Sequence, residues 1–160
     1  MAIITLSGRA AIASIIKASA LYLAWGTGDS AWDSVPVSPS SSDSNLVSEL
    51  GRRLVENISF CQVDAGGSIE FPGGNKYSTT VTPTGMLYIR VTFDYADEPT
   101  GVIRETALFQ GTVPATGHES DKYLSVANVQ TSGLLMTLDR FPKIVRSSGN
   151  REIFETILTI

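Results

Sequence analysis

The chain has 160 residues, which is enough for one domain with a substantial core. Only 18% of the residues are charged against 42% that are apolar. This charge density is low for a free monomer, so we expect partner subunits to cover part of the surface. The net charge of −4 and the scattered Lys and Arg residues argue against nucleic-acid binding, because phosphate neutralisation needs clustered cations.

We expect neither a membrane-spanning nor a secretory segment. No stretch approaches the roughly 20 apolar residues that a membrane-spanning helix needs. Arg9 and Lys17 bracket the apolar run of residues 10–16, which argues against a signal peptide. Cys61 is the only cysteine, so an intramolecular disulfide and a multi-cysteine metal site are excluded, and we expect Cys61 to be buried as a small apolar residue.

The first predicted elements are a helix and a strand. Ile12, Ile15 and Ile16 recur at helical spacing and predict a short amphipathic helix over residues 10–20. The apolar run that follows, residues 21–25, predicts a strand.

A Ser/Pro-rich stretch, residues 33–45, comes next. Its residues bury too little apolar surface to offset the conformational entropy lost on ordering them, so the stretch is predicted to be a loop. We expect a partner to order this loop. After it, Leu46, Leu50 and Leu54 repeat every four residues. They predict a second short helix that ends near Gly51 or Arg53, with Asp43 or Ser44 as its N-cap.

The rest of the chain has the pattern of β-structure. Residues 55–63 look extended, and residues 87–95 alternate between apolar and polar side chains with the period of a half-buried strand, its apolar face running from Leu87 to Tyr95. Gly, Pro, Ser and Asn clusters divide further strand candidates at residues 102–109, 122–129, 134–140 and 153–160.

These elements predict a mainly β fold, an antiparallel β-sandwich or curled sheet with one or two short helices near the N-terminus. We expect a single domain over residues 1–160. In it, the loop of residues 33–45 lies between the N-terminal helix and strand and the main β body.

The sequence contains few candidates for catalysis or cofactor binding. Gly26-Thr27-Gly28 follows a strand, but a dinucleotide fingerprint has a third glycine and a helix after it, so a tight turn is favoured. His118 is the only histidine, and no Gly-x-Ser-x-Gly elbow accompanies it. Asp94 and Asp97 lie near a strand end without a calcium-loop motif, which favours a solvated turn. We therefore predict no catalytic residue, no cofactor and no metal site.

Trp25 and Trp32 flank the glycine turn and lie beside Asp29 and Asp33. Tryptophans anchor protein interfaces, and exposed ones beside carboxylates bind sugars. The simpler alternative places Trp25 in the core and Trp32 over the loop.

Two groups of segments carry a resemblance to a known family. The first is Leu21–Asp29, with its Trp-Gly-Thr-Gly end, followed across the Ser/Pro loop by Asn45–Arg53. The second is Gly101–Phe109, with Arg104-Glu105-Thr106-Ala107-Leu108-Phe109, followed by residues 133–136 and 140–142. Together they resemble bacteriophage tail structural proteins of the tail-fibre and tail-collar type. Ala107 stands where those proteins more often have glycine, a mild departure.

The resemblance implies a non-enzymatic structural component of a virion, located in a tail, baseplate, collar, neck or fibre. It implies synthesis in the bacterial cytoplasm and a homo-oligomer, trimer or hexamer, around the tail axis, with other virion proteins as partners. Self-assembly would extend sheets between copies and bury apolar loop residues against partners.

The interface candidates are Trp25, Trp32, Arg104, Glu105, Phe154 and Ile157. Arg104 and Glu105 point to opposite faces of one strand, so each is free for a cross-strand or intersubunit ion pair. Phe154 and Ile157 belong to an apolar last strand that needs a sheet or an interface to cover it. The alternatives are a receptor- or carbohydrate-binding module built on the two tryptophans, and an enzyme acting on cell-wall glycans, which requires a carboxylate pair in a cleft.

Overall fold

The computed structural model describes residues 2–98 and 100–160. It contains one α-helix, α1, over Leu6–Ala18, and short 3-10 helices at Ser30–Asp33 and Val126–Asn128. The first six strands are β1 (Leu21–Gly26), β2 (Glu49–Leu54), β3 (Asn57–Val63), β4 (Ile69–Glu70), β5 (Lys76–Thr80) and β6 (Met86–Phe93). The others are β7 (Gly101–Gln110), β8 (Val113–Pro114), β9 (Tyr123–Ser125), β10 (Val129–Thr131), β11 (Leu134–Arg146) and β12 (Glu152–Thr159).

The predicted mainly β, antiparallel fold with a curled sheet and an N-terminal helix is confirmed. Among the described residues, no helix has the length and apolar character needed to cross a membrane.

Helix α1 begins four residues before the predicted start. The Thr5 hydroxyl accepts a hydrogen bond from the Gly8 N–H at 3.2 Å, which caps the helix. The cap satisfies one of the amides that a helix N-terminus leaves without a partner, so the helix extends back through Leu6.

The second predicted helix, which was to end near Gly51 or Arg53, is wrong, because Glu49–Leu54 form strand β2. β2 pairs with β1 on one side and β9 on the other, and these tertiary contacts outweigh the spacing of the leucines. Gly51 suits the strand, since a Cβ there would lie 2.7 Å from the Leu124 carbonyl oxygen of β9.

The chain divides into two compact units, and one domain over residues 1–160 stays a prediction. Unit 1 comprises residues 2–19, 56–90 and 154–160. It holds α1 and most of a five-stranded sheet in the order β12-β6-β3-β5-β4. Cys61 in β3 is fully buried, as predicted, and burial raises the pKa of its thiol.

Unit 2 comprises residues 20–55, 91–98 and 100–153. Its main sheet has the order β11-β7-β1-β2-β9, and β8 pairs with β10 in a separate ribbon. Central strand β1 is buried along its whole length. A buried cluster in this unit consists of Ala24, Leu46, Ala107 and Phe109. Leu46 directly follows the Ser/Pro loop, so the chain enters the core where the loop ends.

Two strand predictions need correction. Residues 87–93 alternate as predicted, with buried side chains from Leu87 to Phe93, but the strand ends there and Tyr95 is 47% exposed in a turn. The predicted strand over residues 122–129 is broken into β9, a 3-10 turn and the start of β10.

Edge strand β11 is longer than predicted and continues past Pro142 to Arg146. Its pairing with β7 shifts register between Arg140 and Ile144. Proline has no N–H to donate to a ladder, and it is accommodated here because the strand is at an edge and carries an irregularity.

Candidate interaction surface

The first end of the Ser/Pro loop is fixed by Arg104 of β7. Its Nε and Nη2 donate to the two carboxylate oxygens of Asp33 at 2.7 and 3.1 Å, and its Nη1 donates to the Thr27 carbonyl at 3.0 Å. Lys143 adds an ion pair to Asp33 at 3.1 Å. These cations hold the pKa of the Asp33 carboxyl well below its ordinary range.

The other end of the loop is fixed by Glu105, the next residue of β7. Its carboxylate accepts from the backbone N–H groups of Val47 and Ser48 at 3.1 and 2.9 Å, and the side chain is completely buried. Gly26 makes room for this contact, since a Cβ there would lie 2.6 Å from Glu105 Oε1. A buried carboxylate is tolerated because both oxygens accept hydrogen bonds.

One dipeptide therefore holds both ends of the loop. Successive side chains of a strand point to opposite faces, so Arg104 and Glu105 reach different segments. Arg104 forms its ion pair within the chain, with Asp33 at the end of a 3-10 helix, and not with a neighbouring strand as one of the two predicted alternatives had it. We call Arg104, Glu105 and Arg140 the loop clamp.

Arg140, opposite Glu105 in the β11–β7 register, adds a contact near the second end of the loop. Its Nη2 lies 3.1 Å from Asp43 Oδ2, and its guanidinium stands over the Trp32 ring at 4.9 Å from the ring centroid. No contact was predicted for Arg140 from the sequence. The only sequence feature that could have predicted these contacts is the acidic residue near each end of the loop, Asp33 and Asp43, because each needs a cationic partner if it is packed against the sheet.

Trp32 is buried beneath the loop, with 5% of its surface exposed. Gly28, at φ +55°, packs against it, since a Cβ there would lie 2.7 Å from Trp32 Cε3. Gly26 and Gly28 thus provide the close approaches on which the clamp and the Trp32 packing depend.

Trp25 lies in the core of unit 2 and is fully buried. Its ring stacks on Phe93 at a centroid distance of 3.5 Å, and its Nε1 donates to the Tyr123 hydroxyl at 3.3 Å. Because Trp25 and Trp32 are both buried, neither indole offers an exposed face for a sugar. The carbohydrate-platform hypothesis therefore loses its physical basis.

The other polar candidates take part in contacts within unit 2. His118 Nδ1 lies 2.7 Å from Asp121 Oδ2 in a loop. Asp97 was predicted in a solvated turn but is 6% exposed and pairs with Arg53, while Asp94 accepts from Arg151 at 2.9 Å. The part of the chain that the structure describes contains no group of three or more His, Cys, Asp or Glu residues suited to a metal.

Phe154 and Ile157 lie in β12 and are partly buried. Their role at an interface remains a prediction.

The loop displays apolar side chains at its surface. Val35 is 74% exposed, Val37 is 57% exposed and Val47, just past the loop, is 61% exposed. We call these three residues the valine surface. Leu46 and Trp32 are buried while these valines face solvent. The loop is thus fixed from within unit 2 and exposes valines among its serines, and exposed apolar side chains suit binding to another protein.

Replacing Glu105 by Gln should lower the free energy of unfolding by about 1 to 3 kcal/mol, because the amide NH₂ would face a buried backbone N–H in place of an acceptor. Urea unfolding measures the change. Glu70→Gln is the matched control, since its carboxylate is 60% exposed and pairs with Lys76 at the surface; it should cost at most about 1 kcal/mol. Equal losses in the two variants would contradict the role of Glu105.

Gly28→Ala should destabilise the protein by about 2 kcal/mol or more, since the methyl group adds a clash with Trp32 to the cost of a left-handed residue. Gly111→Ala is the control, because Gly111 also has a positive φ, +74°, but nothing lies within 4 Å of its Cβ position. Thermal unfolding should show the larger loss for Gly28→Ala. If Gly28→Ala lowered the unfolding temperature no more than Gly111→Ala does, Trp32 would be able to move aside for the methyl group, and the predicted clash would be contradicted.

Asp33→Asn should destabilise the protein most at neutral pH. The pKa of Asp33 is lowered in the folded state, so its contribution is complete above the unfolded pKa, about 4, and disappears as the pH falls through the folded value. The difference in unfolding free energy from wild type should therefore be equal at pH 7 and 5 and shrink below about pH 4. Asp139→Asn, at an exposed position, should show a smaller difference at pH 7. A pH-independent difference for Asp33→Asn would rule out this ion pair as the cause.

Comparison with known proteins identifies the family. A family model described as "Baseplate wedge 3 tail fiber network component" matches residues 1–160, the whole chain. The search of curated proteins found no match. The match confirms the resemblance to phage tail proteins and implies a location in the virion. The chain belongs to the baseplate wedge 3 tail fiber network component family and is a structural protein of the phage tail and baseplate.

Proposed function

We propose that the chain is a non-enzymatic connector of the baseplate, which self-assembles and binds another virion protein through the valine surface. The observation that carries this proposal is the combination of exposed valines with a loop clamped at both ends by Arg104, Glu105 and Arg140. It needs no cofactor, metal, nucleic acid or membrane.

A clamped loop binds at low entropic cost. A loop that is mobile before binding loses conformational freedom in the complex, and that loss reduces affinity. Here the clamp already fixes both ends of the segment that carries the valines. Fully burying one valine side chain contributes about 1.5 to 3 kcal/mol, so three of them supply most of the affinity of a moderate interface.

The low charge density supports self-assembly, with a trimer or hexamer as the proposed state. Phe154 and Ile157 in edge strand β12 are a second proposed contact, where a neighbouring chain would cover their partly exposed side chains.

The test replaces Val35, Val37 and Val47 together by Ser and supplies the variant to a phage that lacks the wild-type gene. We expect the amount of this chain in purified tails, measured by quantitative mass spectrometry, to fall by at least about tenfold, since each lost valine weakens the contact. The valines are exposed, so the variant should unfold at the wild-type temperature.

Three valines exposed elsewhere, Val81, Val113 and Val126, provide the control triple Ser variant. It should enter tails at the wild-type level. Normal incorporation of the loop variant would contradict the proposed role of the valine surface.

A further inference from the structure

Helix α1 is apolar on both sides. Its inner side buries Ala13 and Ile16. Its outer side leaves Ile12 38% exposed and Ile15 68% exposed, with Ala11 and Ala18 also exposed. Apart from the exposed Ser7 and the half-buried Ser14, the outer side of α1 is apolar, whereas a helix face that stays in water normally carries mostly polar residues.

The apolar surface continues beyond the helix. Ile3 and Ile4, which precede it, are 81% and 55% exposed. We call Ile3, Ile4, Ile12 and Ile15 the α1 surface.

Both charged residues of α1 are engaged away from this surface. Arg9 donates from Nη1 to the Ile160 carbonyl oxygen. Lys17 Nζ stands over the Phe60 ring, 5.8 Å from its centroid. Two copies of the helix can therefore approach each other without bringing like charges together, whichever way the helices run.

The net charge is also distributed in favour of contact through unit 1. Unit 1 has four acidic and four basic side chains, so its formal charge is zero, and the chain's −4 belongs to unit 2. Approach of two copies through unit 1 avoids the repulsion that approach through unit 2 would meet.

We infer that the α1 surface is a self-association site, where α1 of one copy packs against α1 of a second copy. This inference deepens the proposed function, on which it rests, by naming a surface through which copies meet. The surface that packs against α1 must itself be apolar and uncharged. The α1 surface of a second copy meets this requirement. A membrane-binding helix would instead present its Lys and Arg beside the apolar face, whereas both cations of α1 are occupied elsewhere.

Cysteine cross-linking tests the contact directly. Cys61 is fully buried, so in an Ile15→Cys variant the new thiol is the accessible one. Under a mild oxidant such as oxidised glutathione, Ile15→Cys should form a disulfide-linked dimer. Val81→Cys is the matched control, since Val81 lies in unit 1 and is 97% exposed. Because paired helices hold the two thiols at a high effective concentration, Ile15→Cys should give at least about tenfold more dimer than Val81→Cys.

Light scattering provides the second readout. Ile15→Glu places a charge on the α1 surface and should shift the mass toward the 17.1 kDa monomer, while Val81→Glu keeps the wild-type mass. Circular dichroism and the unfolding temperature should match wild type for both variants, since both side chains are exposed. Equal dimer yields from the two cysteine variants, an unchanged mass for Ile15→Glu, or a wild-type chain that is monomeric at every concentration would overturn the inference.

Incorporation into tails separates this inference from the proposed function. If the valine surface variant is lost from tails while Ile15→Glu forms oligomers and enters tails normally, the α1 inference fails and the proposed function stands. If the valine surface variant enters tails normally, the proposed binding role of the loop fails, whatever the result for Ile15.

Discussion

The buried carboxylate of Glu105 is the interaction on which the loop and its surroundings depend. It is surrounded by unit 2, and the free energy of burying its charge is offset by two backbone N–H groups from Val47 and Ser48. Those donors belong to the segment that leads into β2. The carboxylate thus joins the end of the loop to central strand β7, and Gly26 must remain a glycine for this geometry to exist.

Arginines perform a related task elsewhere in unit 2. Arg52 is 1% exposed, donates to Glu49, Thr112 and the Ser132 carbonyl, and lies 4.3 Å from the centroid of the Phe109 ring. Arg146 is 3% exposed and stands over Trp25. In both cases the guanidinium covers an aromatic face while its N–H groups fix loops. Such arginines pack like core residues and also provide directional bonds.

The sequence predicted much of this fold from local patterns. Strands β1, β6 and β7 follow from apolar runs and alternation, which burial of one or both faces produces directly. β2 was mistaken for a helix because Leu46, Leu50 and Leu54 have helical spacing, and its true state depends on pairing with β1 and β9. The clamp was predicted only in part. Arg104 and Glu105 were singled out, but their partners lie 71 and 57 or 58 residues away, where no local pattern records the contact.

Pro142 has a consequence for how the protein can assemble. It lies in β11, an edge strand, next to a shift in register. A strand added along that edge would find no N–H at Pro142 and a distorted ladder around it. Sheet growth from this side is therefore discouraged, and open-ended stacking of copies through the β11 edge is disfavoured.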